Sequence, residues 1–218
     1  LRVEVGEKEY NIAEAVIRII DAYIDAKLES FTSFINDCKA MQSITDENPE
    51  KVIEFIMSLL RPNVDARIFE IVSFAILKAH YGDQSVFWGW ELDKIEEESL
   101  VLYKTGRTNA NDGGIDFVMR PLGRFFQVTE TLDVKKYFLD IDKVQKYPIT
   151  FFFFIDMSVS EIQKAIREQA QEQYPVRAIV KRYMGCVEEI INIPILKNRL
   201  ENILKAGDLE MVIDETMK

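Results

Sequence analysis

The spacing of apolar residues in the first third of the chain predicts three helices. Between Asn11 and Asn36 apolar side chains recur at close to the helical period, which indicates a long amphipathic helix. Asn48-Pro49 predicts the start of a second helix ending near Leu60, because proline is favoured at the first helical position. The third helix, Asp65 to His80, has almost no polar face, so we expect it to be largely buried.

Shorter apolar runs in the middle of the chain predict strands. Ile115–Met119 and Phe125–Val128 flank Arg120-Pro121-Leu122-Gly123, whose proline and glycine are typical of a tight turn, so we predict a β-hairpin. Leu100–Lys104 predicts a strand before the hairpin. Ile149–Ile155 is a continuous run of β-prone apolar residues, which indicates a buried central strand.

The remaining segments carry weaker signals. Glu91–Ser99 is acidic and is expected to be a solvated segment. The other predicted elements are helices at Asp133–Tyr147, Ser158–Tyr174 and Pro194–Gly207, an edge strand at Val176–Val180, and a short strand or extended tail at Leu209–Ile213. This order predicts the α/β class, a mixed sheet flanked by helices. We expect an N-terminal helical region, residues 1–63, packed on an α/β core at residues 64–218.

Composition narrows the function classes. The 218 residues include 27 basic and 37 acidic side chains, and a net charge of −10 argues against indiscriminate nucleic-acid binding. A locally basic groove remains compatible with that charge. No run of about 18 apolar residues occurs, so no membrane span is expected. Cys38 and Cys186 are far apart, which predicts free thiols in a reducing cytoplasm. The chain begins with leucine, which suggests a fragment or a trimmed chain.

Polar residues interrupt apolar segments at three places. Asp116 and Gln127 lie in the two strands of the predicted hairpin, where a buried polar side chain is costly without a partner. Such side chains on neighbouring strands can converge at one edge of a sheet and share a cation. Glu70 lies in the middle of the apolar third helix. It either pairs locally with Arg67 or points toward Asp116 and helps to hold a metal.

Taken in order, these parts resemble the PD-(D/E)xK nuclease superfamily, most closely type II restriction endonucleases and their Mrr-like relatives. Gly113-Gly114-Ile115-Asp116 is similar to the GGxD segment that places the first metal-binding aspartate in that family. Gln127-Val128-Thr129 follows in the next strand, where the family has Glu, Asp or Gln, then any residue, then Lys. The resemblance covers roughly Asp65 to Gln173 and implies a restriction-endonuclease-like core.

The resemblance implies a sequence-specific endonuclease that hydrolyses double-stranded DNA with Mg²⁺, as a homodimer on a palindromic site. Asp116 would be the principal metal ligand. The Gln127 side-chain oxygen and the Val128 carbonyl would complete the protein ligands, and Glu70 would act directly or through water. Thr129 occupies the position of the motif lysine. Either Lys104 or Lys135 reaches in, or a water and the metal suffice, or the site is inactive. The expected catalytic set is therefore Glu70, Asp116, Gln127, Thr129 and Lys104.

A polar segment just before Asp116 is the candidate DNA-binding surface. Its donors are Lys104, Arg107, Thr108, Asn109 and Asn111. Arginine and asparagine are the side chains that bind guanine and adenine bidentately. The alternative is a solvated loop with ordinary turn-forming residues. Two alternative functions remain: an inactive nuclease-fold module that binds DNA or serves structurally, and an interaction protein whose N-terminal helix forms a partner surface.

Overall fold

A computed structural model describes residues 1–6, 8–45, 47–62, 64–105 and 115–218, and these ranges form eight helices and nine strands. The helices are α1 Ala13–Gln42, α2 Pro49–Ser58, α3 Ala66–Gly82, α4 Val134–Lys143, α5 Val159–Gln173, α6 Arg177–Met184, α7 Ile193–Ala206 and α8 Leu209–Met217. The strands are β1 Arg2–Val5, β2 Lys8–Asn11, β3 Ser85–Trp88, β4 Glu96–Ser99, β5 Val101–Lys104, β6 Phe117–Arg120, β7 Arg124–Thr129, β8 Ile149–Phe153 and β9 Val187–Asn192.

A five-stranded mixed sheet in the order β5-β6-β7-β8-β9 is the centre of the fold. The first three strands form an antiparallel meander, and the predicted hairpin is confirmed by the pairing of β6 with β7. β8 and β9 then run parallel to β7. All five residues of β8 are buried, which confirms it as a central strand. The predicted α/β class is therefore confirmed as a mixed sheet with helices.

Alternation along the strands divides the interior into two apolar clusters, one on each face of the sheet. Phe126 and Phe152 pack in a cluster with α3, α7 and α8. Phe151 and Phe153 pack in the other cluster with α4 and α5. The predicted burial of the third helix is confirmed, because α3 contributes ten buried residues.

The N-terminal helices share the first of these clusters. Phe34 and Cys38 of α1, and Val52 and Ile56 of α2, are buried together with residues of α3 and α8. β1 and β2 form a separate two-stranded sheet. Both cysteines are free and buried, as predicted, while their compartment stays a prediction. No helix in the described part of the chain has the length and apolarity needed to cross a membrane.

Two local predictions were wrong, and several strands were not predicted. Val176–Val180, predicted as an edge strand, belongs mainly to helix α6, in which only Val180 is buried. The β-branched residues of this segment therefore did not impose a strand conformation. Leu209–Ile213 begins helix α8, whose buried Leu209, Val212 and Ile213 follow the helical spacing. The acidic segment Glu91–Ser99 is solvent-exposed as predicted, apart from a half-buried Glu98, and part of it forms β4, which pairs with β3. Strands β1, β2, β4 and β9 were not predicted. β1 and β2 lie inside the predicted N-terminal helical region, and β9 forms an edge of the five-stranded sheet beside β8.

Candidate active site

Asp116 lies immediately before β6 and is fixed by hydrogen bonds to its neighbours. Its backbone N–H donates to the Phe126 carbonyl at 3.1 Å, and its carbonyl accepts from the Thr105 N–H at 3.1 Å. Its carboxylate oxygen Oδ2 accepts a hydrogen bond from the Val128 backbone N–H at 2.6 Å. The side chain is therefore held at the end of the hairpin, against β7.

Val128 and Gln127 present two further oxygens at this point. In a strand the N–H and C=O of one residue point toward the same neighbour, so the Val128 carbonyl faces the side on which Asp116 lies. Gln127 Nε2 donates to that carbonyl at 3.2 Å. Gln127 is only 5 % exposed, and its Oε1 has no hydrogen-bond partner among the residues described. An unpaired buried acceptor costs about 1–3 kcal/mol, and an ordered water or a bound cation at Oε1 would remove that cost.

Glu70 and Lys104 carry opposite charges, and each influences the pKa of the other. Glu70 is half-buried on α3, and burial raises the pKa of its carboxyl, while the charges of Lys104 and then Arg67 oppose that shift. The Lys104 amine lies 4.6 Å from the centre of the Phe74 ring. Partial burial lowers the pKa of Lys104, and the Glu70 carboxylate opposes this shift. Lys104 on β5 therefore influences Glu70 more than Arg67, the local partner considered from the sequence.

Charged residues on both faces of the sheet influence the pKa of Asp116. Burial raises the pKa of Asp116 to about 7, and the carboxylates of Glu70 and Asp140 contribute to the increase. The Val128 N–H and the charge of Lys136 act in the opposite direction. At neutral pH the carboxyl is therefore close to the midpoint of its titration, and a bound cation would favour its ionised form.

Glu70 and Gln127 lie on opposite faces of the sheet. Phe126 and Val128 face the cluster that contains α3, so alternation along β7 turns Gln127 toward the helices α4 and α5. Glu70 belongs to α3, on the other face. The charge of Glu70 influences Asp116, whereas Gln127 is linked to Asp116 through the backbone of Val128. This placement favours a role for Glu70 through charge or a bridging water rather than beside Gln127.

Thr129, at the position of the motif lysine, is engaged with the backbone. It is 2 % exposed, and its hydroxyl donates to the Thr131 carbonyl at 3.2 Å. The Tyr137 hydroxyl also donates to that carbonyl. Thr129 shares a strand face with Gln127 but carries no charge, so the positive charge near Asp116 comes from other residues.

Two residues of α4, Lys136 and Asp140, influence the pKa of Asp116 and were not identified from the sequence. The charge of Lys136 acts on both Asp116 and Asp140, whereas Lys135 was the α4 lysine considered from its position. Asp140 is 1 % exposed; its Oδ1 accepts from Lys143 at 2.9 Å, and its Oδ2 has no partner among the described residues. The available signal was the four-residue spacing of Lys136 and Asp140, which places both on one helix face.

The candidate DNA-binding surface is described only at Lys104. Arg107, Thr108, Asn109 and Asn111 lie outside the described residues. Within the described ranges, no three carboxylate, histidine or cysteine side chains converge as a metal-binding group. A cation at Asp116 would therefore depend on neutral oxygens, such as the Gln127 amide and the Val128 carbonyl, in addition to carboxylate.

The chain matches no protein-family model, and comparisons with curated proteins and with solved structures find no match. The resemblance to PD-(D/E)xK nucleases therefore stays a prediction. Function is inferred from the residues around Asp116.

Proposed function

We propose that this chain is a sequence-specific double-stranded DNA endonuclease of type II restriction type, which hydrolyses phosphodiester bonds with Mg²⁺. The observation that carries the proposal is the linked set of oxygens at the end of the hairpin. Val128 donates to the Asp116 carboxylate and accepts from the Gln127 amide, whose own Oε1 is buried without a hydrogen-bond partner in the described residues.

This donor set fits the coordination chemistry of magnesium. Mg²⁺ binds through oxygens, commonly one or two carboxylates together with waters. Asp116, Gln127 and the Val128 carbonyl would hold the ion, with Glu70 acting through a water. When bound, Mg²⁺ supplies a more acidic water and a positive charge beside the scissile phosphate. The chain itself orients these oxygens, because β6 and β7 fix the backbone at Asp116 and Val128.

The positive charges around the carboxylates support a role in phosphate chemistry. Lys104 lies near Glu70, and Lys136 influences Asp116. In the resemblance, the motif lysine contributes positive charge from the strand, at the position that Thr129 occupies here. We assign that contribution to Lys136, which comes from the following helix and from the same face as Gln127. Lys104 would then stabilise the ionised form of Glu70.

The order of elements is consistent with a restriction-endonuclease-like core. Helix α3 carries Glu70, the strand β6 follows Asp116, the strand β7 carries Gln127, and α4 leads into the buried strand β8. This is the order of parts on which the resemblance depends. A homodimer acting on a palindromic site belongs to the same proposal, since twofold symmetry in the protein would match that of the DNA. So does a cytoplasmic location, which suits two free thiols.

One observation favours a second candidate, an inactive nuclease-fold module that binds DNA or serves structurally. Thr129 is uncharged, buried and held by the Thr131 carbonyl, so the motif position contributes no charge to a phosphate. DNA binding that needs no metal, without cleavage and unaltered by Thr129→Lys, would support that candidate.

Cleavage of plasmid DNA with Mg²⁺ or Mn²⁺ at pH 8 tests the proposal. We expect the unaltered chain to linearise the plasmid and Asp116→Asn to lose at least about 100-fold in rate, because the principal ligand loses its charge. Asp93→Asn is the matched control, since Asp93 is an exposed aspartate between β3 and β4. Full activity in Asp116→Asn would overturn the assignment.

A further inference from the structure

The first two-thirds of α1, residues 13–31, form a projecting segment that we call the α1 arm. Its large apolar side chains are uncovered, with 48–68 % of the surface of six of them exposed: Ile17, Ile19, Ile20, Tyr23, Ile24 and Leu28. Together they expose on the order of 700 Å² of apolar surface, more than the roughly 300–600 Å² of the largest patch on a typical monomer. Such a surface indicates an interaction site.

The exposed face of the arm continues into the core of the protein. Ile20, Ile24, Phe31, Phe34 and Cys38 are separated by three, four or seven positions, so they lie on one face of α1. Phe34 and Cys38 are buried against the other helices, at 4 % and 0 % exposure. This face of α1 therefore packs against the other helices toward the C-terminal end of α1. Along the arm the same face is exposed to solvent.

The charged residues of the arm leave this face suited to burial. Glu14, Arg18, Asp21, Asp25 and Glu29 recur every three or four positions and line the opposite face. Lys27 falls within the apolar face, but its amine is paired with Asp65 at the start of α3. This pairing neutralises the cation within the face and connects the arm to the core.

The chemistry of the arm favours a protein partner over a lipid surface. Helices that lie on membranes carry mainly lysine and arginine on their polar face, which attracts anionic lipids. The polar face of the arm instead carries four acidic residues and one arginine. Anionic lipid would be repelled by that face, so a membrane does not account for the exposed apolar residues.

We propose that the α1 arm is a homodimer interface, in which the arm of one copy packs against the same arm of a second copy. A twofold axis brings identical surfaces together, so one apolar face covers the other. The roughly 700 Å² that each copy would contribute approaches the approximately 800 Å² per partner of an interface of standard size. The arm would be the interface of the homodimer that the proposed function includes. Its test uses neither DNA nor the residues around Asp116, so dimerisation and cleavage can fail separately.

Light scattering during size-exclusion chromatography, without DNA or metal, tests the interface. At about 50 μM chain we expect a mass twice the 25.3 kDa of one copy. The variant Ile20→Glu/Ile24→Glu should elute as a monomer at that concentration with its helical circular dichroism retained, because neither side chain is buried. The matched control Phe87→Glu/Leu92→Glu alters two residues that are 77 % and 93 % exposed on the β3–β4 hairpin, and it should stay dimeric.

A milder pair of changes guards against misfolding in the charged variant. Ile20→Ala/Ile24→Ala introduces no charge and keeps a strong helix former, and we expect it to weaken the dimer at least about tenfold in Kd. The proposal is overturned if the unaltered chain is monomeric at about 50 μM. It is equally overturned if the glutamate variant stays dimeric, or if anionic vesicles of phosphatidylserine bind the arm and the protein alone does not dimerise.

Discussion

The backbone N–H of Val128 donates a 2.6 Å hydrogen bond to the carboxylate of Asp116, and this bond joins β7 to the residue that precedes β6. It fixes one oxygen of the Asp116 carboxylate. It also directs the Val128 carbonyl toward the same side, where the Gln127 amide donates to it.

Magnesium binding is expected to strengthen as the pH rises through about 7. Burial raises the pKa of Asp116 to about 7, and the protonated carboxyl must release its proton before it can hold a cation. Below that pH, the affinity for Mg²⁺ should fall by up to about tenfold per pH unit. Isothermal titration calorimetry from pH 6 to pH 8.5 measures the effect.

In the same titrations, Asp116→Asn should bind Mg²⁺ weakly and with little pH dependence, since the titrating group is removed. An affinity that stays constant from pH 6 to pH 8.5 in the unaltered chain would argue against Asp116 as the principal ligand.

Asp116→Asn should also make the metal-free protein more stable at pH 8. The raised pKa means that between about pH 4 and pH 7 the folded state binds more protons than the unfolded state, whose aspartate has a pKa near 3.9. The free energy of unfolding of the unaltered chain should therefore fall as the pH rises through that window. We expect Asn to recover about 2–4 kcal/mol at pH 8, because its amide oxygen can still accept from Val128.

Urea unfolding at pH 5 and pH 8 checks this expectation, with Asp93→Asn as the exposed control. The advantage of the variant should be smaller at pH 5 than at pH 8, because most of the interval between the unfolded and folded pKa values lies above pH 5. If the variant and the unaltered chain have equal free energies of unfolding at both pH values, burial does not raise the pKa of Asp116.

Gln127→Glu should strengthen the metal site. Gln127 Oε1 is buried and lacks a hydrogen-bond partner within the described ranges, and a carboxylate at that position would add charge to the ligand set. We expect at least about tenfold tighter Mg²⁺ binding at pH 8. The neighbouring charge should also move the pKa of Asp116 upward in the absence of metal. Unchanged or weaker Mg²⁺ affinity would mean that the Gln127 side chain does not contact the ion.

Lys136→Met should reduce DNA cleavage far more than Lys135→Met. Both lysines lie on α4 and are exposed, but the charge of Lys136 is the one that acts on Asp116. Loss of a positive charge beside the phosphate should lower the cleavage rate by about 10²-fold, while Mg²⁺ affinity should change less than that. Equal losses of cleavage rate in the two variants would show that Lys136 has no specific role at Asp116.

Most of the helices and the β6–β7 hairpin were predictable because local signals determine them. Asn48 caps α2, Asp65 caps α3, and Ser158 with Glu161 forms a complete capping box at α5. The turn residues between β6 and β7 specify the hairpin in the same way. The two C-terminal errors arose where apolar residues over a few positions fit both a strand and a helix, and packing against α3 or α5 decided the outcome.

The site was predictable in part for a related reason. Asp116 and Gln127 stood out as polar residues in apolar strands, and a hairpin necessarily brings them close. Lys136 and Asp140 were missed because their role depends on how α4 lies over the sheet, which no local spacing specifies. Glu70 and Gln127 lie on opposite faces of the sheet because α3 packs on one face and α4 on the other, which local sequence likewise does not specify.

Anomalous diffraction from crystals soaked in Mn²⁺ tests the central claim most directly, because it locates the cation without reliance on activity. We predict one strong peak about 2.2 Å from an Asp116 carboxylate oxygen, with Gln127 Oε1 and the Val128 carbonyl as further ligands. A peak elsewhere, or no peak at Asp116 under conditions where the protein cleaves DNA, would contradict the proposed site.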